Sequence, residues 1–325
     1  LYTGGAAQAA IGQAAANLAA TQSQLAGLRA TVIQDTTRAY FTLIETRQSA
    51  QVADQAVIVA AQDLKTANEL FTAGTAAKVD VLRSDVTFAD ARVNQIRSHN
   101  NALLANARLA NELNVNLASV INPTETLETQ APSYTLDSLL GSAQTRPELA
   151  AANDAVIIAD QAVRGARSAY LPDVNIQVQE ASSLPNFVNV PQPQLSETLA
   201  VTWQLFSGGL THGKVLQASA QVDKAKINLK SITNDVDLEV REAYFNYTAA
   251  QAQVGAALEA TQSAAENFHV NQIRYKAGVG TSLELSDALL STTQAQNQYI
   301  SALADLRVSL VALQRAAGLL PTTGI

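Results

Sequence analysis

Leu1-Tyr-Thr-Gly-Gly5 and, 204 residues later, Leu205-Phe-Ser-Gly-Gly209 open two long blocks that contain no proline, 1–122 and 194–320. The eight prolines of the 325-residue chain all fall between those blocks or at residue 321. Proline in a helix interior costs about 3 kcal/mol, so blocks of this length without it permit very long helices. The offset recurs inside the blocks, where Gly74 and Gly278 are again 204 residues apart. Laid over each other without gaps, 1–114 and 205–318 share 20 identical residues. Ala39-Tyr40-Phe41 meets Ala243-Tyr244-Phe245, Phe71-Thr-Ala-Gly74 meets Tyr275-Lys-Ala-Gly278, and Asp80 meets Glu284. Twenty identities are few, but they fall on every landmark of both blocks, which predicts an internal duplication.

Each block reads as a helical hairpin. Ala53, Val57, Ala60, Leu64, Ala67 and Phe71 follow the 3-and-4 spacing of a heptad seam. Ala257, Thr261, Ala264, Phe268, Asn271 and Tyr275 repeat its register. Gly74 and Gly278 suit the left-handed cap that ends a helix. A second helix follows each, over about 80–114 and 283–318. A helix over 210–276 has 67 residues, roughly 100 Å at 1.5 Å per residue.

The intervening segment differs. Residues 123–147 are rich in Pro, Thr and Ser, with one short helix near Leu136–Thr145, and 147–169 is helical. After Pro172, Val174, Ile176 and Val178 alternate with Asn175, Gln177 and Gln179. Beyond a polar loop over 181–194, Leu199, Val201, Trp203 and Leu205 alternate with Ala200, Thr202 and Gln204. Period two is a strand signal. Such a pair fits either membrane β-barrel strands, apolar towards lipid and polar towards a lumen, or an amphipathic hairpin in a water-soluble domain. On the first reading Trp203 belongs to the membrane interface. The duplication also predicts a counterpart of 137–204 ahead of Leu1, so the chain reads as N-terminally truncated, with four strands per complete subunit. Four strands cannot close a membrane barrel, which needs about eight, so an oligomer is expected.

Composition narrows the function. The chain has no Cys, which excludes disulfide scaffolds and thiol or Cys-metal chemistry. Three scattered His (99, 212, 269) on helical stretches predict no metal site, and no cofactor motif is visible. The net charge of −7 argues against nucleic acid. No nucleophile elbow or phosphate loop is present, so no enzyme is expected. No run of about 18 apolar residues predicts a transmembrane helix.

In these features the chain resembles the outer-membrane efflux protein family, the TolC-like channel-tunnels. The resemblance rests on the two strand-to-helix junctions, the paired Ala-Tyr-Phe triplets, Arg146-Pro-Glu-Leu149, Ala169-Tyr-Leu-Pro172 and the turn Arg274-Tyr275-x-x-Gly278, in that family's order. It implies a mainly α fold with a membrane β part. Long antiparallel hairpins form an α-barrel and continue into a 12-stranded outer-membrane β-barrel shared by a homotrimer. The implied layout is a first hairpin over 1–118, an equatorial segment over 119–147, a helix over 148–171, a strand pair over 172–207, a second hairpin over 208–318 and a tail over 319–325. The tunnel would dock with a periplasmic adaptor and an inner-membrane pump of RND, ABC or MFS type. It would reside in outer-membrane lipid, extend into the periplasm of a Gram-negative-type bacterium, and serve as a passive exit for drugs, toxic compounds or metal ions. A type I protein secretion duct and a periplasmic coiled-coil scaffold are the alternatives.

The resemblance also points to residues. Acidic positions at the start of the last helix line the family's closed aperture, and here they are Glu284 and Asp287, three apart on one helix face. Six such carboxylates in a trimer would favour cations. Thr281-Ser-Leu-Glu284 is equally a capping box, with Glu284 serving its own helix. Asp80 and Arg83 are the matching pair in the first block, and Arg83 is expected to pair with a neighbouring carboxylate. The tip turns, with Gly74 and Thr75 in one and Gly278, Val279 and Gly280 in the other, are the expected adaptor contacts.

Overall fold

A computed structural model describes residues 2–127, 132–181 and 194–321. Leu1 of the first junction, the strand-pair loop over 182–193, residues 128–131 of the equatorial segment and 322–325 of the tail lie outside the described residues. The elements run β1 (Tyr2–Thr3), α1 (Ala6–Thr72), α2 (Lys78–Glu112), α3 (Leu136–Ala143), α4 (Pro147–Ser168), β2 (Asp173–Ala181), β3 (Gln194–Thr202), α5 (Leu210–Lys276) and α6 (Ser282–Ala316). α1 and α5 each have 67 residues, α2 and α6 each have 35, and each pair begins 204 residues apart.

The helices start and stop for the same local reasons in both blocks. Gly4 and Gly5 have φ of 62° and 90°, and Gly208 and Gly209 have 60° and 86°. The hydroxyl one residue earlier then accepts a free amide: Ala7 N–H donates to Thr3 Oγ1 at 3.0 Å, and Thr211 N–H to Ser207 Oγ at 3.3 Å. That contact satisfies one orphan donor of each helix start. Two residues beyond α2 stands Asn114, the only non-glycine residue with positive φ among those described, and two residues beyond α6 stands Gly318, also with positive φ.

The chain forms two compact units. The first comprises 1–28 with 144–237 and holds the sheet, ordered β1-β2-β3. β2 and β3 pair antiparallel, from Asp173 opposite Thr202 to Ala181 opposite Gln194. Residues directly opposite share a face. Val174 with Val201, Ile176 with Leu199, Val178 with Glu197 and Glu180 with Leu195 form one face; Asn175 with Ala200, Gln177 with Thr198 and Gln179 with Ser196 form the other. Ile176, Val178, Leu199 and Val201 are all more than half exposed. β3 ends earlier than the alternation predicted, at Thr202, so Trp203 and Leu205 lie beyond the ladder. The reason is on the partner strand: Pro172 precedes β2 and has no N–H to extend the pairing. Tyr2 and Thr3 pair with Val174 and Asp173 on the other edge of β2. Beside the sheet, the start of α1 packs on α4, burying Ala9, Ala16 and Val163. Arg146, the N-cap residue of α4, is buried and holds Glu148 at 3.0 Å.

The second unit comprises 29–143 with 238–324 and packs helix on helix. Its seams are built on alanine. Ala53, Ala60 and Ala67, each seven residues from the next, are at most 1% exposed. Leu43 of α1 meets Ala105 and Leu109 of α2, and Ile121 covers them. Two straps come from the segment after α2. Residues 119–122 are tied to the first hairpin, because Asn106 bonds Ser119 O and Ile121 N–H, and Arg47 bonds Ile121 O and Asn122. On α5, buried Tyr247 donates its hydroxyl to Pro132 O at 2.6 Å and meets the Tyr134 ring edge-on.

Gly4 is where backbone freedom and close approach are needed together. A Cβ there would sit 2.6 Å from Ser168 O and 3.0 Å from Leu171 Cβ, whereas at Gly5 it would meet nothing within 4 Å. Gly5→Ala therefore carries only left-handed strain, about 1–2 kcal/mol, while Gly4→Ala adds a backbone collision. Thermal melts followed by circular dichroism in detergent should rank the variants wild type, then Gly5→Ala, then Gly4→Ala.

Candidate functional site

The candidate residues gather where α1 turns into α2 and α5 into α6, within the second unit. Both turns are glycine caps of one design. Gly74 (φ 79°) lets Thr75 N–H and Ala76 N–H reach back to Leu70 O, at 2.9 and 3.2 Å. Gly278 (φ 71°) lets Val279 N–H and Gly280 N–H reach Arg274 O, both at 3.0 Å. These bonds satisfy the last carbonyls of the long helices. The first turn exposes Thr75 and the second exposes Val279. Under both turns lies one apolar cluster drawn from all four helices: Ala67, Val81, Tyr275 and Leu285.

Glu284 closes a complete capping box. Its Oε2 accepts from Thr281 N–H at 2.9 Å, and Thr281 Oγ1 accepts from Glu284 N–H at 3.2 Å. Arg274 Nη1 lies 3.8 Å from its other oxygen. The Thr281 backbone bond, then the Thr281 hydroxyl and the Arg274 charge, hold its pKa below the ordinary carboxylate range. Glu284 is therefore ionised at neutral pH, whether as cap or as tunnel charge. Asp287 is exposed one turn on, beside a groove edged by Thr87, Asp90, Asn94 and Leu290.

Asp80 and Arg83 meet through a residue that sequence reasoning passed over. Ser282 is 2% exposed, donates its hydroxyl to Asp80 Oδ1 at 2.6 Å and accepts from Arg83 Nη1 at 3.3 Å. One turn further, the Thr87 and Ser286 hydroxyls lie 3.1 Å apart. α2 and α6 are thus joined by two hydroxyl contacts four residues apart. Arg83 is linked to Asp80 through the serine. Asp80 also accepts from Ala77 N–H at 3.1 Å, serving as cap as well as bridge. No motif marks Ser282, because its role depends on a helix 199 residues away in sequence.

Two buried polar groups were also missed. Asp63 of α1 is 8% exposed. Burial raises its pKa, against the opposing effects of a Gln272 hydrogen bond and the Lys276 charge. The Tyr275 hydroxyl is buried and has no hydrogen-bond partner among the described residues. Burial, with Asp80 and Asp63 nearby, raises its pKa as well. In the sequence Tyr275 reads as a seam residue and nothing marks Asp63; their burial arises where the helices converge.

The remaining expectations fall elsewhere. Trp203 is more than half exposed, and its Nε1 donates to Tyr170 O at 3.1 Å, linking the end of β3 to the segment after α4. His99 contacts Asp54 at 2.8 Å. Among the described residues no cluster of three or more His, Cys, Asp or Glu is placed to hold a metal ion. No described helix is long and apolar enough to cross a membrane.

A profile of the outer membrane efflux protein family matches residues 1–115 and 141–319. The chain belongs to that family. Protein CyaE of Bordetella pertussis is 26% identical over 324 residues, which cover 98% of this chain and 68% of that protein. Among solved structures, the outer-membrane channel OprN superposes with a TM-score of 0.84 at 20% identity, over 97% of this chain and 72% of the other. The outer membrane protein VceC of Vibrio cholerae superposes at 0.83 and 21% identity, over 97% and 76%. The protein is thus an outer-membrane efflux channel subunit that extends into the periplasm. Its family and structural neighbours are channels rather than enzymes.

The raised pKa of Asp63 has a thermodynamic sign. Its folded form binds a proton more tightly than the unfolded chain, whose aspartates titrate near 3.9. Its burial therefore costs stability above the folded pKa, and that cost is relieved as pH falls through the folded value towards about 3.9. Asp63→Asn should raise the melting temperature at pH 7 and flatten the local dependence on mildly acidic pH. A variant less stable than wild type at pH 7 would show that the carboxylate holds the tip together.

Proposed function

We propose that three copies of this subunit form one passive channel-tunnel, with strands in the outer membrane and helices in the periplasm. The observation that carries the reading is the β2–β3 pair: one face exposes Ile176, Val178, Leu199 and Val201, with Glu197 and Glu180 only towards the loop end, and the other is lined with Asn, Gln, Ser and Thr. In water that face is a liability; in a closed barrel it meets lipid while the polar face meets a lumen. The matching helix lengths and the constant 204-residue offset support an internal duplication, and with it a second strand pair in the complete subunit. Three such subunits supply 12 strands to one barrel. Residues 1–118 and 208–318 supply its α-barrel wall, 119–147 and the tail from 319 an equatorial belt, and 172–207 the membrane strands.

The tips at Gly74, Thr75, Gly278, Val279 and Gly280 receive a periplasmic adaptor, through which an inner-membrane pump supplies the energy. Small toxic compounds, drugs or metal ions pass outward, and the tunnel itself performs no chemistry. Trp203 sits at the edge of the membrane. Asp287 and Glu284 ring the periplasmic mouth and select for cations, while Asp80 and Arg83, clasped on Ser282, hold the two hairpins of a subunit together. What supports the ring is that both carboxylates are exposed and share one face of α6. Glu284 caps its helix in addition.

Single-channel recording of the full-length protein in a planar bilayer tests this. A small cation-selective conductance is expected, with selectivity reduced in Glu284→Gln combined with Asp287→Asn. An unchanged channel would return both carboxylates to helix capping. Folded protein that forms no channel would overturn the duct.

A further inference from the structure

α2 is apolar on two opposed faces. Its inner face is buried: Val81 lies in the tip cluster, and Ala105 and Leu109 lie against α1. Its outer face carries Val79, Leu82, Val86, Val93, Ile96 and Leu103, which follow the 3-and-4 spacing of a heptad seam with Ala89 and Asn100 filling the two open steps. Those six side chains are 46–71% exposed. α5 repeats the arrangement in its own terms. Val240, Tyr247, Ala250 and Val254 are buried, while Leu238, Phe245, Ala252, Glu259, Glu266 and Ile273 stand at seven-residue intervals, all exposed. A helix on the surface of a bundle needs one apolar stripe. A helix with two stands between two neighbours. α6, by contrast, buries residues along its whole length, from Leu285 through Ile300 to Leu313. α2 and α5 are therefore the outer rows of the four helices, and each lacks an outer neighbour among the described residues.

We propose that the outer face of α2 packs antiparallel against the outer face of α5 of a second copy of this chain, with Arg97 and Arg92 meeting that copy's Glu259 and Glu266. The inference rests on the trimeric reading above and names the surfaces that build it. Two different faces that complement each other give a head-to-tail contact, which repeats round a ring until it closes. Rotation about an axis along the helices keeps all tips level, so residues can be matched by their distance from the tip. Arg97 is 19 residues from the start of α2, and Glu259 is 17 from the end of α5. That places them within about 3 Å along the axis, at 1.5 Å per residue. Arg92 and Glu266, 14 and 10 residues from the tip, are about 6 Å apart on the same scale, within reach of an arginine side chain. Glu259 and Glu266 also interrupt an otherwise apolar and alanine row. A carboxylate buried in a helix seam requires a cationic partner. On the outer face of α2, Arg92 and Arg97 flank the apolar row at the matching height.

The chain has no cysteine, so engineered disulfides report cleanly. Leu103 is 25 residues from the tip on α2 and Ala252 is 24 on α5. Full-length protein carrying Leu103→Cys and Ala252→Cys should give a covalent trimer on oxidation in detergent, read on a non-reducing denaturing gel, while each single variant stays a monomer there. Arg97→Glu should weaken the detergent trimer at low salt, and adding Glu259→Arg should restore it. A trimer by light scattering that fails to cross-link overturns this pairing and leaves the duct standing. It would make the outer face of α2 available to another protein, such as the adaptor. A covalent dimer from Leu103→Cys alone overturns it in favour of α2 against α2. Folded protein that stays monomeric in detergent overturns both this pairing and the trimeric channel.

Discussion

Close approach of helices at alanine is the constraint on which the second unit depends. Ala53, Ala60 and Ala67 bury almost completely, so each gives only a methyl group to the packing around it. Each alanine buries little apolar area, at about 25 cal/mol per Å². The contact must therefore be repeated over many turns, and long helices follow from it as an energetic necessity. The same constraint explains where the few large side chains go. Tyr247, Leu43, Leu109 and Leu313 are fully buried. Of these, Tyr247 receives the strap at Pro132, and Leu43 with Leu109 lies under Ile121. Tyr247, Leu43 and Leu109 grip straps, while Leu306 and Leu313 are buried along α6 itself.

Most of that plan was legible before any coordinates. Glycine and proline mark helix ends strongly because their preferences are local: a left-handed residue or a missing N–H acts wherever it occurs. Gly74 and Gly278 therefore placed the tips, and the Gly-Gly pairs placed the starts of α1 and α5. The second strand was legible in kind but not in extent. Alternation continues through Trp203 and Leu205, whereas the ladder stops at Thr202 because its partner begins after a proline. Alternation reports which face a residue prefers and is silent on whether a partner strand is present.

The tip was legible as a place and illegible as a network. Glu284 as a cap is written in four consecutive residues, Thr281 to Glu284. Ser282 as the link between Asp80 and Arg83 is written nowhere, because the three residues come together only when α2 and α6 pack. Asp63 and Tyr275 pose the same problem. Each occupies a position on a helix face that would be unremarked on an isolated hairpin, and each becomes buried only when the second hairpin covers it. Polar groups whose meaning depends on long-range packing leave no trace in periodicity.

That distribution bears on where the structure can yield. Further from the tip, the seams combine apolar contacts, which lose free energy steadily as they separate, with single hydrogen bonds such as Gln95 to Asp54 and Thr261 to Ala295 O. At the tip, the Asp63 carboxylate is buried, and the Tyr275 hydroxyl, buried without a hydrogen-bond partner among the described residues, belongs to a side chain packed with Ala67, Val81 and Leu285. Burying such groups costs free energy, and separating the hairpins returns it by hydrating them. Those two groups lower the cost of opening the tip. Against it stand the hydroxyl contacts of Ser282 and Ser286, which are directional and fail abruptly once stretched. Local opening free energies differ across a fold according to such packing. The tip thus sets a directional polar clasp over a core that is costly to bury.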